Sequence, residues 1–295
     1  MEQQTAFFSI IIPSYNRPQK IGACLESLSR LDYPRDRFEV IVVDDGSKTS
    51  LQPVVASFLD QLDVTLLTQT NAGPAAARNA GAKKARGEFL AFMDDDCTPS
   101  PDWLQNLANR FAQIPDHAIG GRTLNSLPEN PYSTASQNLI NAGYAYHNPI
   151  PSQASFFASD NLAVPAAHFQ SIGGFDSTFK TSEDRDFCDR WRHHGFRMAY
   201  APEVLIYHSH PVNFRFFWRR HFNYGRGAYR YHQARARRGT GRLRPDPKFY
   251  LNLFFNSWMK EPQRRGLWVE MLLVISQVAN TVGFFWEEFN RIKSR

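Results

Sequence analysis

The feature that most constrains the fold of this chain is an alternation over its first hundred residues. Short, evenly apolar runs at residues 7–13, 38–43, 64–67 and 88–93 are separated by longer helix-like segments. The runs are too short for buried helices and too uniformly apolar for strands with one wet face, so they read as strands covered on both sides. Helices are expected over residues 18–31, 51–62 and 72–86; the last is alanine-rich and stopped by Gly87. Such an alternation predicts an α/β fold with a mixed, mostly parallel sheet flanked by helices. Ligands of such sheets bind beyond the carboxyl ends of the strands. Three polar clusters fall there: Pro13-Ser14-Tyr15-Asn16, Asp44-Asp45 and Asp94-Asp95-Asp96.

The acidic triplet carries the strongest chemical signal. Three carboxylates at the end of a buried strand repel one another and lose hydration, which is costly unless a cation neutralises them. Hard oxygen ligands point to Mg²⁺ or Mn²⁺, and Mg²⁺ usually keeps positions open for substrate phosphates. The competing reading is a solvated acidic turn.

Length and cysteine usage set wider bounds. A chain of 295 residues can form one large α/β domain or two smaller ones. Cys24, Cys97 and Cys188 lie far apart without metal-ligand or disulfide spacing, which suits a reducing compartment. The N-terminus lacks a basic segment followed by a signal-like apolar stretch, so a cytoplasmic protein is expected. The net charge of +6 hides an asymmetry. Ten arginines and no Asp or Glu lie between Phe214 and Arg244, and without those ten charges the remainder is −4. Arginine mixed with Trp, Tyr and Phe suits anionic surfaces.

At this point the chain resembles a known family. Ser9-Ile-Ile-Ile-Pro-Ser-Tyr-Asn-Arg17, Val42-Val-Asp-Asp-Gly-Ser47, Ala77-Arg-Asn-Ala-Gly81 and Phe92-Met-Asp-Asp-Asp96 are similar to the nucleotide-sugar half of family 2 glycosyltransferases. Ile172-Gly-Gly-Phe-Asp176, Ser182-Glu-Asp-Arg-Asp186, Arg190-Trp191 and Gly195 resemble the acceptor half. The likeness covers about residues 7–210. It implies a GT-A fold, an inverting mechanism and a nucleoside diphosphate sugar donor, with a UDP-sugar the first candidate. The corresponding division is a catalytic domain at 1–211, with a nucleotide-sugar half at about 1–122 and an acceptor half at 123–211. A basic, aromatic-rich helical region follows at 212–295.

Residue roles come from chemistry and the resemblance together. Asp45 ends a strand, where its carboxylate can accept the imide N–H of a base; alternatively it forms an Asx turn capping the next helix. Pro13, Tyr15 and Arg17 shape the base pocket. Arg78 either meets the diphosphate or base, or makes a helix-face salt bridge. The family pattern Asp-x-Asp makes Asp94 and Asp96 the outer pair, with Asp96 the metal ligand. Asp95 faces the ribose or shares the metal. A bound metal would bridge both phosphates and offset charge on the departing nucleotide.

Inverting transfer requires a base beside the acceptor hydroxyl, and Asp184 is the candidate, with Glu183 orienting it or the acceptor. This pair opens a helix expected over residues 183–195, where the helix dipole alone would also favour carboxylates. Asp160 and Asn161, placed before a short helix, match the acceptor-side loop, and Arg190 and Trp191 are assigned to the acceptor half. His208 follows a strand at 204–207 and, as in some family members, completes the metal site; His210 is its nearby rival. A hydrogen-bonded surface histidine is the alternative. Phe187-Cys-Asp-Arg-Trp191 lacks the Gln of the Gln-x-x-Arg-Trp motif of processive polysaccharide synthases, so transfer of a single sugar is expected. Cell-surface glycan or glycolipid synthesis, with a glycan or lipid-linked acceptor, is the pathway class implied.

The C-terminal region suggests a helix over residues 214–234, with Arg215, Arg219, Arg226 and Arg230 on one stripe. Phe214, Phe217, Trp218, His221 and Tyr224 lie on another. Between Glu270 and Glu287 stand 16 uncharged residues, which as a helix reach about 24 Å, short of a ~30 Å hydrocarbon core. Leu267, Met271, Val274, Val278, Phe285 and Phe289 recur at helical spacing. Attachment at the inner face of the membrane is the leading reading; dimer packing and intramolecular packing are the others. Two function classes compete with the enzyme. One is a non-catalytic protein binding anions or membrane on a similar fold, with nucleic acid the less favoured ligand. The other is a nucleotidyltransferase, which would usually carry a glycine-rich loop that Pro13-Ser14-Tyr15-Asn16-Arg17 does not provide.

Overall fold

The computed structural model describes residues 5–210, 213–241, 246–251, 253 and 263–293. Its strands are β1 (Phe8–Ser14), β2 (Phe38–Asp44), β3 (Val64–Thr68), β4 (Phe89–Met93), β5 (Cys97–Pro99), β6 (Ala118–Asn125), β7 (Asn161–Pro165) and β8 (Met198–His208). They form one sheet in the order β3-β2-β1-β4-β7-β6-β8-β5. β1 to β4 pair in parallel, as the alternation predicts. β7 then joins β4 in the opposite direction, with Met93 opposite Asn161. The start of β7 therefore lies at the carboxyl end of β4, where the acidic triplet begins.

The helices are α1 (Pro18–Leu28), α2 (Gln52–Ala56), α3 (Pro74–Lys84), α4 (Trp103–Gln113), α5 (Pro131–His147), α6 (Ala166–Ser171), α7 (Glu183–His193) and α8 (Phe214–Arg238). A long C-terminal helix spans Gln263–Lys293. Alternation along β1 divides the core. Ile10 and Ile12 pack on one face with Leu25, Trp103 and Phe111, while Ile11 packs on the other with Phe92 and Phe169. Burying each isoleucine contributes roughly 1.5–3 kcal/mol.

Several boundaries differ from expectation. The second helix is one short piece, because residues 57–62 continue as turns. β8 is far longer than the expected run, since Met198–Ala201 pair with β6 before the register shifts at Gly121/Arg122. Asp160-Asn161 enter a strand rather than a helix, and α8 extends four residues beyond its expected end.

The C-terminal helices pack onto the catalytic body. Phe217 of α8, Ala135 of α5 and Val269, Leu272 and Leu273 of the last helix share one apolar cluster. α8 and the last helix cross so closely that a Cβ on Gly225 would lie 1.8 Å from the Asn280 carbonyl oxygen. A Cβ on Gly283 would lie 1.9 Å from that of Phe222. Buried Glu287 accepts hydrogen bonds from Arg226 Nε (2.9 Å) and Arg230 Nε (2.6 Å). At the other end of α8, Arg238 pairs with Asp186 and Asp189 of α7, and Arg235 with Asp189.

These contacts revise the expected basic stripe. Arg226 and Arg230 hold helices together, whereas Arg215 and Arg219 are exposed; Arg242 and Arg244 lie outside the described residues, as does the 211/212 boundary. The expected apolar stripe of the last helix faces outward: Leu267, Met271, Val274, Val278, Phe285 and Phe289 are exposed. Intramolecular packing uses the opposite face. By length and composition alone, the 27 residues Gly266–Ile292 could cross a membrane, their most apolar 18-residue window having a mean hydropathy of 1.4. That exceeds what the uncharged run suggested.

Candidate active site

The carboxyl edge of β1, β2 and β4 is built by backbone geometry and short polar ties. Asn16 adopts a left-handed conformation (φ 57°), which the short polar side chain of Asn tolerates. Its N–H donates to Ser47 Oγ (2.8 Å), and its Oδ1 accepts from the Lys48 N–H (2.7 Å). Asp44 caps its own turn by accepting from the Ser47 N–H (2.8 Å). Asp45 does the work of a loop clamp. Its carboxylate accepts from Gln69 Nε2 (2.7 Å) and from the N–H groups of Ala72 (2.9 Å) and Gly73 (2.8 Å), fixing the approach to α3. A carboxylate has about four acceptor positions, so one is left for a ligand. Pro13 closes the edge of β1, and Tyr15 presents an exposed ring beside these loops.

Each member of the acidic triplet has a different partner. Asp94 Oδ1 accepts from Arg78 Nη2 at 2.5 Å, and the same guanidinium reaches Glu183 Oε1 at 3.0 Å. Arg78 is buried and spans from the end of β4 to the first turn of α7. Of the two expectations for Arg78, ligand contact or a helix-face salt bridge, its observed ion pairs match neither as stated: both join α3 to other elements. Asp95 is buried, accepting from Ser14 Oγ (2.7 Å) and Arg17 Nη1 (2.9 Å). Burial pushes its carboxyl up to about 6, partly offset by the Arg17 charge. Arg17 also reaches Asp96 Oδ2 at 3.3 Å.

Asp96 faces His208. β5 pairs antiparallel with β8, and Cys97 stands opposite His208. That register brings His208 Nε2 to 3.1 Å from Asp96 Oδ1, while Nδ1 lies 3.5 Å from Asp160 Oδ2. Both ring nitrogens are buried and neither makes a well-formed hydrogen bond; Asp160 Oδ1 is likewise buried and unpartnered. Burial opposes charge on both groups, but their contact holds the Asp96 carboxyl well below the usual carboxylate range and the His208 imidazole above its own. Ligand atoms of Asp96, Cys97 and His208 all lie within 4.8 Å of one another. A hard oxygen and an orphaned imidazole nitrogen at this spacing fit a small divalent cation such as Mn²⁺. His210 is committed elsewhere: it meets Gln137 Oε1 at 3.2 Å and Arg220 Nη1 at 3.3 Å.

At the start of α7, Ser182 adopts φ 66°, and Glu183 in the first turn reaches Arg78 at the sheet edge, with Asp184 next to it. Asp184 Oδ1 accepts from the Arg185 N–H (2.7 Å). Enclosure, then the neighbouring Glu183 charge, pushes its carboxyl up to about 7, the range suited to a general base at neutral pH.

Three of the expected acceptor residues take structural positions. Asn161 is buried, donating to the carbonyls of Arg122 (3.2 Å) and Val204 (2.9 Å) and accepting from Trp103 Nε1 (2.9 Å). Trp191 is buried in the core, with its Nε1 donating to the Arg197 carbonyl (2.8 Å). Arg190 binds Asp186 and the carbonyls of Ile172 and Gly174. Asp160 is buried beside His208, with its Oδ2 3.5 Å from Nδ1.

Sequence reasoning passed over Arg220. It projects from α8 toward the acidic edge, where Asp96 and Asp94 act on its charge. Its Cζ lies 6.0 Å from the centre of the Tyr224 ring. The signal was present: Arg220 is three residues after Phe217 and four before Tyr224, and so belongs to the aromatic face of α8.

The family model of glycosyl transferase family 2 matches residues 9–180, more than half of the chain. The chain belongs to that family. This glycosyltransferase is 27% identical over 231 residues to glycosyltransferase AglE of Haloferax volcanii, covering 77% of this chain and 74% of that protein. It is 31% identical over 226 residues to the pre-mycofactocin glycosyltransferase of Mycobacterium tuberculosis, covering 75% of this chain but 46% of the relative. Its fold is GT-A. It is similar to the mannosyltransferase PcManGT from Pyrobaculum calidifontis, solved with GDP-Man and Mn²⁺ (TM-score 0.65, 20% identity, 94% of this chain and 74% of that one). It is also similar to residues 1–349 of S. aureus TarS, solved with UDP-GlcNAc (TM-score 0.56, 19% identity, 97% and 92%). The family match ends before Glu183, Asp184, His208 and Arg220.

Proposed function

We propose that this glycosyltransferase moves a single sugar, with inversion, from a nucleoside diphosphate sugar to a hydroxyl of a glycan or lipid-linked acceptor. The observation that carries the reading is the Asp94–Arg78–Glu183 bridge, which ties the acidic triplet to the helix turn bearing Asp184. Donor-side and acceptor-side carboxylates are thereby held at one sheet edge. Asp45, Pro13, Tyr15 and Arg17 receive the nucleoside. Asp96 and His208 hold Mn²⁺ or Mg²⁺, with Asp94 and Asp95 completing the acidic lining. The bound cation would offset charge on the departing diphosphate. Asp184 takes the proton from the acceptor hydroxyl as that oxygen attacks the anomeric carbon from the face opposite the leaving group. The donor complexes of PcManGT and TarS support a nucleotide-sugar donor, and the Mn²⁺ in the former supports a divalent cation.

The test is a thermal-shift screen of nucleoside diphosphate sugars with and without Mn²⁺, followed by transfer assays with the best donor. A cation-dependent rise in melting temperature with one base series is expected. No shift with any nucleotide sugar would overturn the reading.

A second element concerns location. The last helix exposes Leu267, Trp268, Met271, Val274, Val278, Trp286 and Phe289, and Phe214 and Phe216 are exposed beside Arg215 and Arg219. Apolar side chains with flanking arginines favour peripheral attachment to an anionic membrane surface. Flotation with liposomes containing phosphatidylserine should carry the protein upward. A stable dimer without lipid association would replace this reading with dimer packing.

A further inference from the structure

We infer that Arg220, supplied by α8 beyond the part of the chain matched by the family model, binds the diphosphate of the donor. The inference rests on the donor reading above. Three arginines reach the acidic edge, and two are already spent. Arg17 Nη1 is shared between Asp95 and Asp96, and Arg78 between Asp94 and Glu183. Arg220 is different. Among the described residues it has no carboxylate at ion-pair distance, and its one hydrogen-bonding contact is His210 Nδ1 at 3.3 Å.

A guanidinium cannot shed its charge and carries five donors. Holding it half-buried without a counter-ion is costly, and an anion repays that cost. Its partner His210 lies against His208, with 4.1 Å between the ring centres, which places the guanidinium beside the acidic edge; burial works against its charge, while Tyr224, Asp96 and Asp94 act in its favour. The fork geometry of arginine matches phosphate oxygens in a bidentate manner.

The position of α8 is fixed rather than incidental. Gly227 lies so close to the loop before α7 that a Cβ there would come within 2.5 Å of Ser182 Oγ and Thr181 Oγ1. Thr181 Oγ1 also donates to the Asn223 carbonyl (2.8 Å). α8 is thus docked against the turn that carries Asp184, with Arg220 two helical turns before Gly227. His210 takes one N–H of the guanidinium and the Tyr224 ring lies 6.0 Å from its carbon, so the remaining N–H groups are left for phosphate.

Calorimetry of the full chain with UDP, UMP and uridine in Mn²⁺, and with GDP, GMP and guanosine in parallel, tests this. Arg220→Gln should weaken diphosphate binding about 10- to 100-fold while changing nucleoside binding less than about 3-fold. Arg220→Lys, which keeps the charge without the fork, should fall between. The diphosphate-to-nucleoside affinity ratio separates this role from a structural one, because a packing defect lowers all three ligands together. Unchanged diphosphate binding in Arg220→Gln, or an equal loss for all three ligands in both variants, would overturn the inference. If the unmutated protein bound no nucleotide of either series, the donor reading would fall first and this inference with it.

Discussion

Cys97 stands directly opposite His208 on the antiparallel β5–β8 ladder. Because side chains alternate along a strand, this register determines which group faces Asp96. The result is a buried imidazole 3.1 Å from the Asp96 carboxylate, with neither ring nitrogen in a well-formed hydrogen bond, a donor pair that a divalent cation would suit.

Asp96→Ala should therefore reduce Mn²⁺-dependent nucleotide affinity on the order of 100-fold, and His208→Ala on the order of 10-fold. Titration of free Mn²⁺ by electron paramagnetic resonance, with nucleotide present, gives the comparison. Wild-type Mn²⁺ binding in Asp96→Ala would refute the ligand assignment.

Asp184→Asn should bind donor normally yet lose transfer by about 10²- to 10⁴-fold. The pH profile of the unmutated enzyme should rise through about 7 as the Asp184 carboxyl loses its proton. Stability moves the other way. The folded state holds this proton at pH values where an unfolded aspartate, near ~3.9, has released it. Between about 4 and 7 the folded chain therefore binds more protons, and stability declines as pH rises. Asp184→Asn should flatten that decline in melts from pH 5 to pH 8; an unchanged slope would remove Asp184 as its source.

Glu287→Ala leaves Arg226 and Arg230 facing a lost counter-charge between α8 and the last helix. The pair is partly solvated, so the cost should be about 2 kcal/mol, below the ~3–5 kcal/mol of a fully buried pair. Chemical denaturation reads it, and Glu287→Gln should recover part of the loss.

Gly283→Ala should destabilise by about 1–3 kcal/mol, because its Cβ would meet the Phe222 backbone, which cannot rotate away. Nucleotide affinity should fall with it if α8 is displaced. A variant as stable as the parent would mean the crossing is looser than the 1.9 Å approach indicates.

The parallel half of the fold was legible because buried strands write apolar runs: β1, β2 and β4 are buried almost throughout, whereas β3, at the sheet edge, is buried only at Val64 and so is not covered on both sides as its run suggested. The three polar clusters were legible for the same reason, since a strand end is visible in the sequence. Partners were less so. Arg78 meets Glu183 across 105 positions, and no local pattern encodes that distance. Arg190 and Trp191 sit in the motif yet serve the core: they share the face of α7 that carries Glu183 and Asp184 but stand two turns further along, where Trp191 packs in the core and Arg190 holds the carbonyls of Ile172 and Gly174. In α8 the stripe grouping Arg215 with Arg226 held only in part. Helical spacing places residues on a face but does not say which neighbour covers each end.

The reversal of direction between β4 and β7, where Met93 faces Asn161, makes the site a seam. On one bank, loops leave the ends of parallel strands; on the other, the chain arrives to begin a strand running back. Each bank can drift in its choice of sugar or acceptor without disturbing the other, provided the joint holds. Diversity in such an enzyme can therefore be inherited bank by bank, around chemistry that stays in place.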